Sequence, residues 1–345
     1  MASSSARETR LGGGIRLLCF DGGGVRGLSS LRILQRVVEL IDPVNPPKPC
    51  DCFDMIAGTS TGGLIAIMLG RLKMSVFECI EEYQKLSTAV FTKTRHRVGW
   101  SGNLQGRFDH EALENGIKGL LQRLGLPEDE LMKEGDGAPL CKTFVCAMNQ
   151  QTSKIVLFPN YYSRKWGTCM LDCARIWQVA RATSAATSFF EPVSINESVF
   201  VDGATGANNP VYELWAEALE VFFQGDEGRR LHNIGCLVSI GTGLSSLKKF
   251  GETIPNVLKA MKGIAIDSEE KIQSFLRDFP CVRKNDVFFR FNVVQGLSHV
   301  GLEEKDRLAD IDAYTDNYCH SPLVMDQMEM CAKLLKEPKF SGTPT

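Results

Sequence analysis

Twice within its first 70 residues this chain runs from a short apolar segment into glycines and straight on into an apolar segment with helical spacing. The first instance is Ile15-Arg-Leu-Leu-Cys-Phe20, then Asp21-Gly-Gly-Gly-Val-Arg-Gly27, then Leu28, Leu31, Leu34, Val38 and Ile41 at three- and four-residue steps until Asp42-Pro43. After a proline-rich connection over 43–49, the second instance predicts a strand over 53–57, the turn Gly58-Thr-Ser60-Thr-Gly62, and a helix over 62–69. That helix is apolar on every side and is expected to be buried.

Further along, the pattern predicts an amphipathic helix over 76–90, a helix opened by Asp109, and strands over 142–148 and 154–158 around a polar turn. A small-residue helix over 177–188, a short strand over 199–201 and a core strand over 237–240 follow. Strands that alternate with helices imply an α/β class with a mostly parallel central sheet and helices on both faces. No linker or repeat divides the chain, so one domain is expected over 14–335, between a flexible 1–13 and a frayed 336–345.

A chain of 345 residues that is 43% hydrophobic can bury a large core. Its formal net charge of −2 and pI of about 6.3 exclude nucleic acid as the expected partner. Residues 1–14 have no apolar secretory core and Ala2 does not fit N-myristoylation, so a cytoplasmic location is expected. The longest apolar run, 64–69, is far below the roughly 18 residues of a spanning helix, leaving peripheral membrane contact as the expected lipid-facing mode. The 12 cysteines form no CxxC pair, so reduced structural thiols and no metal are expected.

The glycines 22, 24 and 27 satisfy the dinucleotide fingerprint, yet the proline-rich 43–49 segment occupies the place of its second strand. The same turn resembles a phosphate loop, but Leu28 stands where the phosphate-binding lysine belongs. Both motifs share exposed backbone N–H groups aimed, with the following helix's positive end, at one point. In acyl transfer that point holds the oxyanion of the tetrahedral intermediate. Gly22, Gly23 and Gly24 are the candidate donors, with Arg26 steadying the loop or adding charge.

Gly58-x-Ser60-x-Gly62 fits a nucleophile elbow, with small residues permitting the turn that exposes the hydroxyl. Serine needs a base. Of the five histidines, 96, 110, 232, 299 and 320, only His299 sits in a small-residue loop suited to a triad. The competing base is Asp202, which ends the β-type run Val199-Phe-Val201 and precedes Gly203 and Ala204. At an unperturbed pKa of about 3.9 it is a poor match, and a desolvating pocket would raise its basicity. The alternative is a turn aspartate that merely caps the following loop.

Together, Asp21-Gly-Gly-Gly-Val-Arg-Gly27, Gly58-Thr-Ser-Thr-Gly62 and Asp202-Gly-Ala204 resemble the three signatures of the patatin-like phospholipase family, in its fungal-type form. Ala180-Arg-Ala-Thr-Ser-Ala-Ala186, Asn208-Asn-Pro210 and Ser239-Ile-Gly-Thr-Gly243 extend the similarity over about residues 14–245. Ala204 replaces a second glycine, a known variant of the family. The resemblance implies a modified α/β-hydrolase-like, three-layer α/β/α fold and a calcium-independent Ser-Asp dyad without cofactors. Ser60 would be the nucleophile, Asp202 the base, and the amides of Gly22, Gly23 and Gly24 the oxyanion hole.

The implied substrates are phospholipid or neutral glycerolipid esters. Lys93 to Arg97, with Phe91 and Trp100, could meet an anionic bilayer. A lipid-binding or oligomerising effector domain with latent activity, possible as a homo-oligomer, is the competing class.

Overall fold

The computed structural model describes residues 14–92, 108–135, 139–163, 165, 172–186, 189–223, 233–244 and 256–337, with side chains from 267 onward in the last of these. The strands are β1 Ile15–Phe20, β2 Met55–Thr59, β3 Lys142–Asn149, β4 Lys154–Pro159, β5 Val193–Ile195, β6 Ser198–Asp202, β7 Ile234–Ile240 and β8 Phe288–Phe291. The helices that concern the site and its packing are α1 Gly27–Ile41, α2 Thr61–Ala66, α3 Val76–Val90, α4 His110–Arg123 and α5 Ile176–Ser184, followed by α6 Val211–Phe223, α7 Asn256–Asp278, α8 Leu308–Cys319 and α9 Pro322–Lys336.

The strands form one sheet in the order β5-β6-β3-β2-β1-β7-β8, with β4 also paired to β3. Pairings from β3 through β2, β1 and β7 to β8 are parallel. Those of β3 with β4, β3 with β6 and β5 with β6 are antiparallel. The antiparallel edge follows from connection length: the four-residue turn between β3 and β4 is too short for the crossover that a parallel return needs.

Side chains alternate between two cores along the central strands, as a period of two requires. Leu18, Phe20, Ile56, Val238 and Ile240 join a core with Leu28, Leu31 and Leu34 of α1, Ile80 of α3 and Met328 of α9. Leu17, Cys19, Met55, Ala57 and Leu237 join the opposite core with Leu214 and Trp215 of α6 and Phe275 of α7. This is the three-layer α/β/α arrangement, and residues beyond 215 complete it with β7, β8 and the last helices.

Two local expectations shift. The second strand begins at Met55 rather than residue 53, because Pro49 opens a single helical turn, Pro49–Cys52, that Phe53 closes by donating its N–H to the Pro49 carbonyl. The small-residue helix ends at Ser184, short of residue 188. The buried α2 passes into a wider turn over Ile67–Arg71, and both are buried throughout.

The last helix reaches Lys336. Residues 338–345 of the expected tail, residues 1–13, the Lys93 to Arg97 loop with Trp100, His96 and His232 lie outside the described residues. Among the described residues, no helix is long and apolar enough to cross a membrane.

Candidate active site

Ser60 sits between β2 and α2 with φ 55° and ψ −128°, a backbone conformation that L-residues rarely adopt. Such strain costs on the order of 1–3 kcal/mol and persists only where the surroundings enforce it. Here they do. A Cβ at Gly62 would overlap the Phe20 carbonyl, and one at Gly58 would overlap the Gly62 carbonyl, so the elbow closes only with glycine at both places. The Ser60 N–H donates to Thr183 Oγ1 at 2.8 Å, while Thr183 donates to the Cys146 carbonyl at 2.7 Å. Thr183, at the end of α5, thereby ties the elbow to β3.

The serine hydroxyl donates to Asp202 Oδ2 at 2.6 Å. The two residues are 142 positions apart, and sheet register brings them together. Thr59, the last residue of β2, is paired with Cys146, but β3 runs on to Asn149. The antiparallel β6 pairs with that overhang and ends with Asp202 opposite Ala147, one residue past the end of β2. The aspartate thus reaches the crevice on an antiparallel strand, not at the carboxyl end of a parallel one.

Asp202 is 3% exposed. Its second oxygen, Oδ1, accepts the Ala204 N–H at 2.8 Å, the contact that Gly203 and Ala204 provide by turning into the short helix Ala204–Ala207. Burial lifts the carboxyl from 3.8 to about 7, against the opposing bonds from Ser60 and Ala204. Among the described residues no cationic group contributes to that shift.

The glycine turn lies against Ser60, since a Cβ at Gly22 would stand 2.9 Å from the Ser60 Cβ. Its peptides are oriented one by one. The Gly22 N–H donates to the Asn208 carbonyl at 3.1 Å, so Gly22 is spent as a donor and the expected set of three amides becomes two. The Gly22 carbonyl accepts from Thr242 Oγ1 at 2.9 Å and the Gly23 carbonyl from the Arg26 N–H at 3.2 Å. Among the described residues nothing takes the N–H of Gly23 or Gly24. The Gly24 carbonyl is gripped by the Thr61 hydroxyl at 3.0 Å and by the Tyr83 hydroxyl.

Arg26 ties the loop to the chain at Val300 and lines the cavity beside Ser60. Its Nε donates to the Val300 carbonyl at 2.8 Å, and burial lowers its pKa to about 10, which leaves it protonated at neutral pH. Gly27 opens α1 beside Thr61 and Tyr83.

Beneath the turn, Asp21 accepts from both terminal guanidinium nitrogens of Arg290, at 3.0 and 2.7 Å, and from the Asn209 amide at 2.7 Å. Arg290 also reaches Glu269. Burial alone would lower the proton affinity of Arg290, but the two carboxylates more than offset it and hold the guanidinium charged. Asn208 and Asn209, quoted above only as a turn, therefore join the Asp202 loop to the glycine turn. Arg290 lies outside every motif. The signal for it was an arginine inside the aromatic strand Phe288-Phe-Arg-Phe291.

These groups open onto a cavity of about 260 Å³. Gly22, Gly23, Gly24, Ser60, Asp202 and Ala204 line one part of it, and Leu86, Val90, Phe91, Leu113, Phe189 and Phe190 line an apolar part. Phe91, Phe189 and Phe190 pack with Phe108 as an aromatic group, Phe91 edge-on to Phe108 at 5.1 Å. His299 is exposed and outside this lining, and no histidine lines the cavity among the described residues. The Ser-Asp-His alternative lacks its geometry.

A strained serine after a parallel strand, bonded to a buried carboxylate and lying against a glycine turn, marks an α/β protein of the serine-hydrolase class. The profile of the patatin-like phospholipase family matches residues 18–215, and the chain belongs to that family. It is similar to the calcium-independent phospholipase A2-gamma of Oryctolagus cuniculus, 28% identical over 95% of this chain, and to that of Homo sapiens, 30% identical over 85% of it. Phospholipase A I of Arabidopsis thaliana is 26% identical over 85% of the chain. The chain spans 40% of the rabbit protein, 36% of the human one and 26% of the plant one.

Proposed function

We propose that this chain is a calcium-independent lipid acyl hydrolase of the phospholipase A type, acting through Ser60 and Asp202 by way of an acyl-enzyme. The observation that carries the reading is the 2.6 Å bond from the Ser60 hydroxyl to a buried carboxylate, in the lining of a cavity with an apolar part suited to an acyl chain. Names of the relatives support the substrate class, a phospholipid.

Ser60 Oγ attacks the ester carbonyl carbon while Asp202 Oδ2 takes the hydroxyl proton. The carbonyl oxygen becomes an oxyanion that the N–H groups of Gly23 and Gly24 receive. As the intermediate collapses, Asp202 returns the proton to the leaving oxygen, and lysophospholipid or alcohol departs. Water then enters, gives its proton to Asp202 and cleaves the acyl-enzyme by the same route. A base with a pKa near 7 is matched to this exchange, because about half of it is ionised at neutral pH and it is still basic enough to take a proton. Peripheral association with a bilayer surface belongs to the same reading, since that is where such a substrate resides.

The test is fatty-acid release from mixed-chain phosphatidylcholine vesicles with a chelator present. Wild type and His299→Ala are expected to be active, and Ser60→Ala and Asp202→Asn to lose on the order of 100- to 10,000-fold in kcat. Full activity in Asp202→Asn would sink the dyad, and loss in His299→Ala would restore the triad. An inactive wild type that still binds vesicles would favour the latent effector domain.

A further inference from the structure

The turn Gly241-Thr-Gly243 after β7 takes no part in the reaction described so far, yet it is pinned on three sides. The Gly241 N–H donates to the Phe291 carbonyl at 2.8 Å, and the Gly241 carbonyl accepts from Ser30 Oγ at 2.7 Å. The Gly243 N–H donates to Asn292 Oδ1 at 2.7 Å. Thr242, 7% exposed, is thereby held against the glycine turn and lines the cavity beside Ser60. A Cβ at Gly23 would overlap its side chain, so the two turns touch only because residue 23 is glycine.

We infer that the Thr242 hydroxyl is a positioning residue for the oxyanion site, holding the Gly22 carbonyl so that the Gly23 N–H faces the ester oxygen. The inference rests on the reading of the site given under Proposed function. In a trans peptide the carbonyl and the following N–H point in opposite directions, so whatever fixes one fixes the other. For the peptide between Gly22 and Gly23, the carbonyl accepts from Thr242 Oγ1 at 2.9 Å. For the next peptide, the Gly23 carbonyl accepts from the Arg26 N–H, a backbone contact within the turn itself. Gly24 is thus oriented by the local chain, whereas Gly23 relies on a side chain 220 residues away from the Gly22 carbonyl that it holds. Between two glycines little else resists rotation of that peptide. Losing an oxyanion donor outright costs about 100- to 1,000-fold in kcat, and a donor that is loosened rather than deleted costs less.

The test compares wild type, Thr242→Val, Thr242→Ser and Ser60→Ala. Valine keeps the shape and removes the hydroxyl; serine keeps the hydroxyl. Each is assayed on phospholipid vesicles with chelator, then titrated with a long-chain alkyl trifluoromethyl ketone and with the matching fatty alcohol. The ketone's adduct with Ser60 places an oxyanion where the ester's would form, and the alcohol fills only the apolar cavity.

Thr242→Val is expected to lower kcat about 10- to 100-fold with KM little changed, and to weaken the ketone by the same factor while leaving the alcohol's affinity intact. Thr242→Ser is expected to recover most of that loss. Wild-type kcat and ketone affinity in Thr242→Val would overturn the inference. Equal losses of ketone and alcohol binding, or no recovery with serine, would also overturn it, because they report a collapsed cavity. Activity in Ser60→Ala would instead overturn the reading of the site, and the inference with it. Should the valine variant fail to fold, Thr242→Ala carries the same comparison.

Discussion

The pKa of Asp202 couples activity to stability with opposite signs, and Asp202→Asn separates the two. In the native protein the carboxyl titrates at about 7, while unfolded it returns to 3.8. Between those values the native state holds a proton that the unfolded chain has released, so this group's contribution is fully present below about pH 4 and lost as pH rises through about 7. A span of about 3 pH units at about 1.4 kcal/mol each comes to roughly 4 kcal/mol, which the ionised carboxylate costs the fold at pH 8. Asparagine never ionises. Relative to wild type, Asp202→Asn should therefore gain about 4 kcal/mol in stability between about pH 4 and pH 8.

Urea unfolding of both proteins across that range measures the gain, and taking the difference cancels the titration of every other group. The activity of wild type should move the other way. The ionised fraction of the base falls to about one tenth at pH 6 and about one hundredth at pH 5, and kcat/KM should follow it. A stability difference that does not vary with pH, or a flat rate profile between about pH 5 and pH 8, would refute both the buried carboxylate's pKa and its role as the base.

Arg290→Met should lower stability by about 3–5 kcal/mol in urea titrations, because it strands Asp21 as a buried charge with Asn209 as its remaining side-chain partner. Thr183→Val should cost about 2–6 kcal/mol and reduce kcat, since it deprives both the Ser60 N–H and the Cys146 carbonyl of their partner; Thr183→Ser should stay near wild type in both. Phe190→Ala should open the apolar part of the cavity and shift preference toward longer acyl chains, at up to about 0.8 kcal/mol per added methylene, measured as kcat/KM over a series of chain lengths.

Both strand–turn–helix units were legible because everything that makes them is local: apolar runs, glycines and helical spacing fall within about 30 residues of one another. Ser60, Asp202 and the glycine turn could be named from the same kind of signal. What could not be read was register. Nothing in residues 198–202 says that their strand runs antiparallel along the overhang of β3, and that pairing is what carries Asp202 to Ser60. The loss of the Gly22 amide to Asn208 is likewise set by a contact across the fold. Thr183 stood inside a quoted motif, but its role depends on the Cys146 carbonyl of another strand. Arg290 carried a weak signal, a cation within an aromatic strand, whose counter-charge at Asp21 only the sheet reveals.

Two buried aspartates at one site have different donors, and under the proposed mechanism the donors separate a strut from a base. Asp21 meets a guanidinium through two bonds and an amide through a third, so its charge is neutralised in place and the residue serves as a strut for the turn. Among the described residues Asp202 meets only a hydroxyl and one backbone N–H, both neutral, at comparable burial. Burial raises the Asp21 carboxyl too, with Arg290 opposing it, and a cation beside Asp202 would likewise oppose burial and weaken that carboxylate as a base for the serine proton. In the proposed dyad, burial that no cation among the described residues counters brings a carboxyl to about 7, the range an imidazole occupies unaided, and so offers the serine a base without histidine.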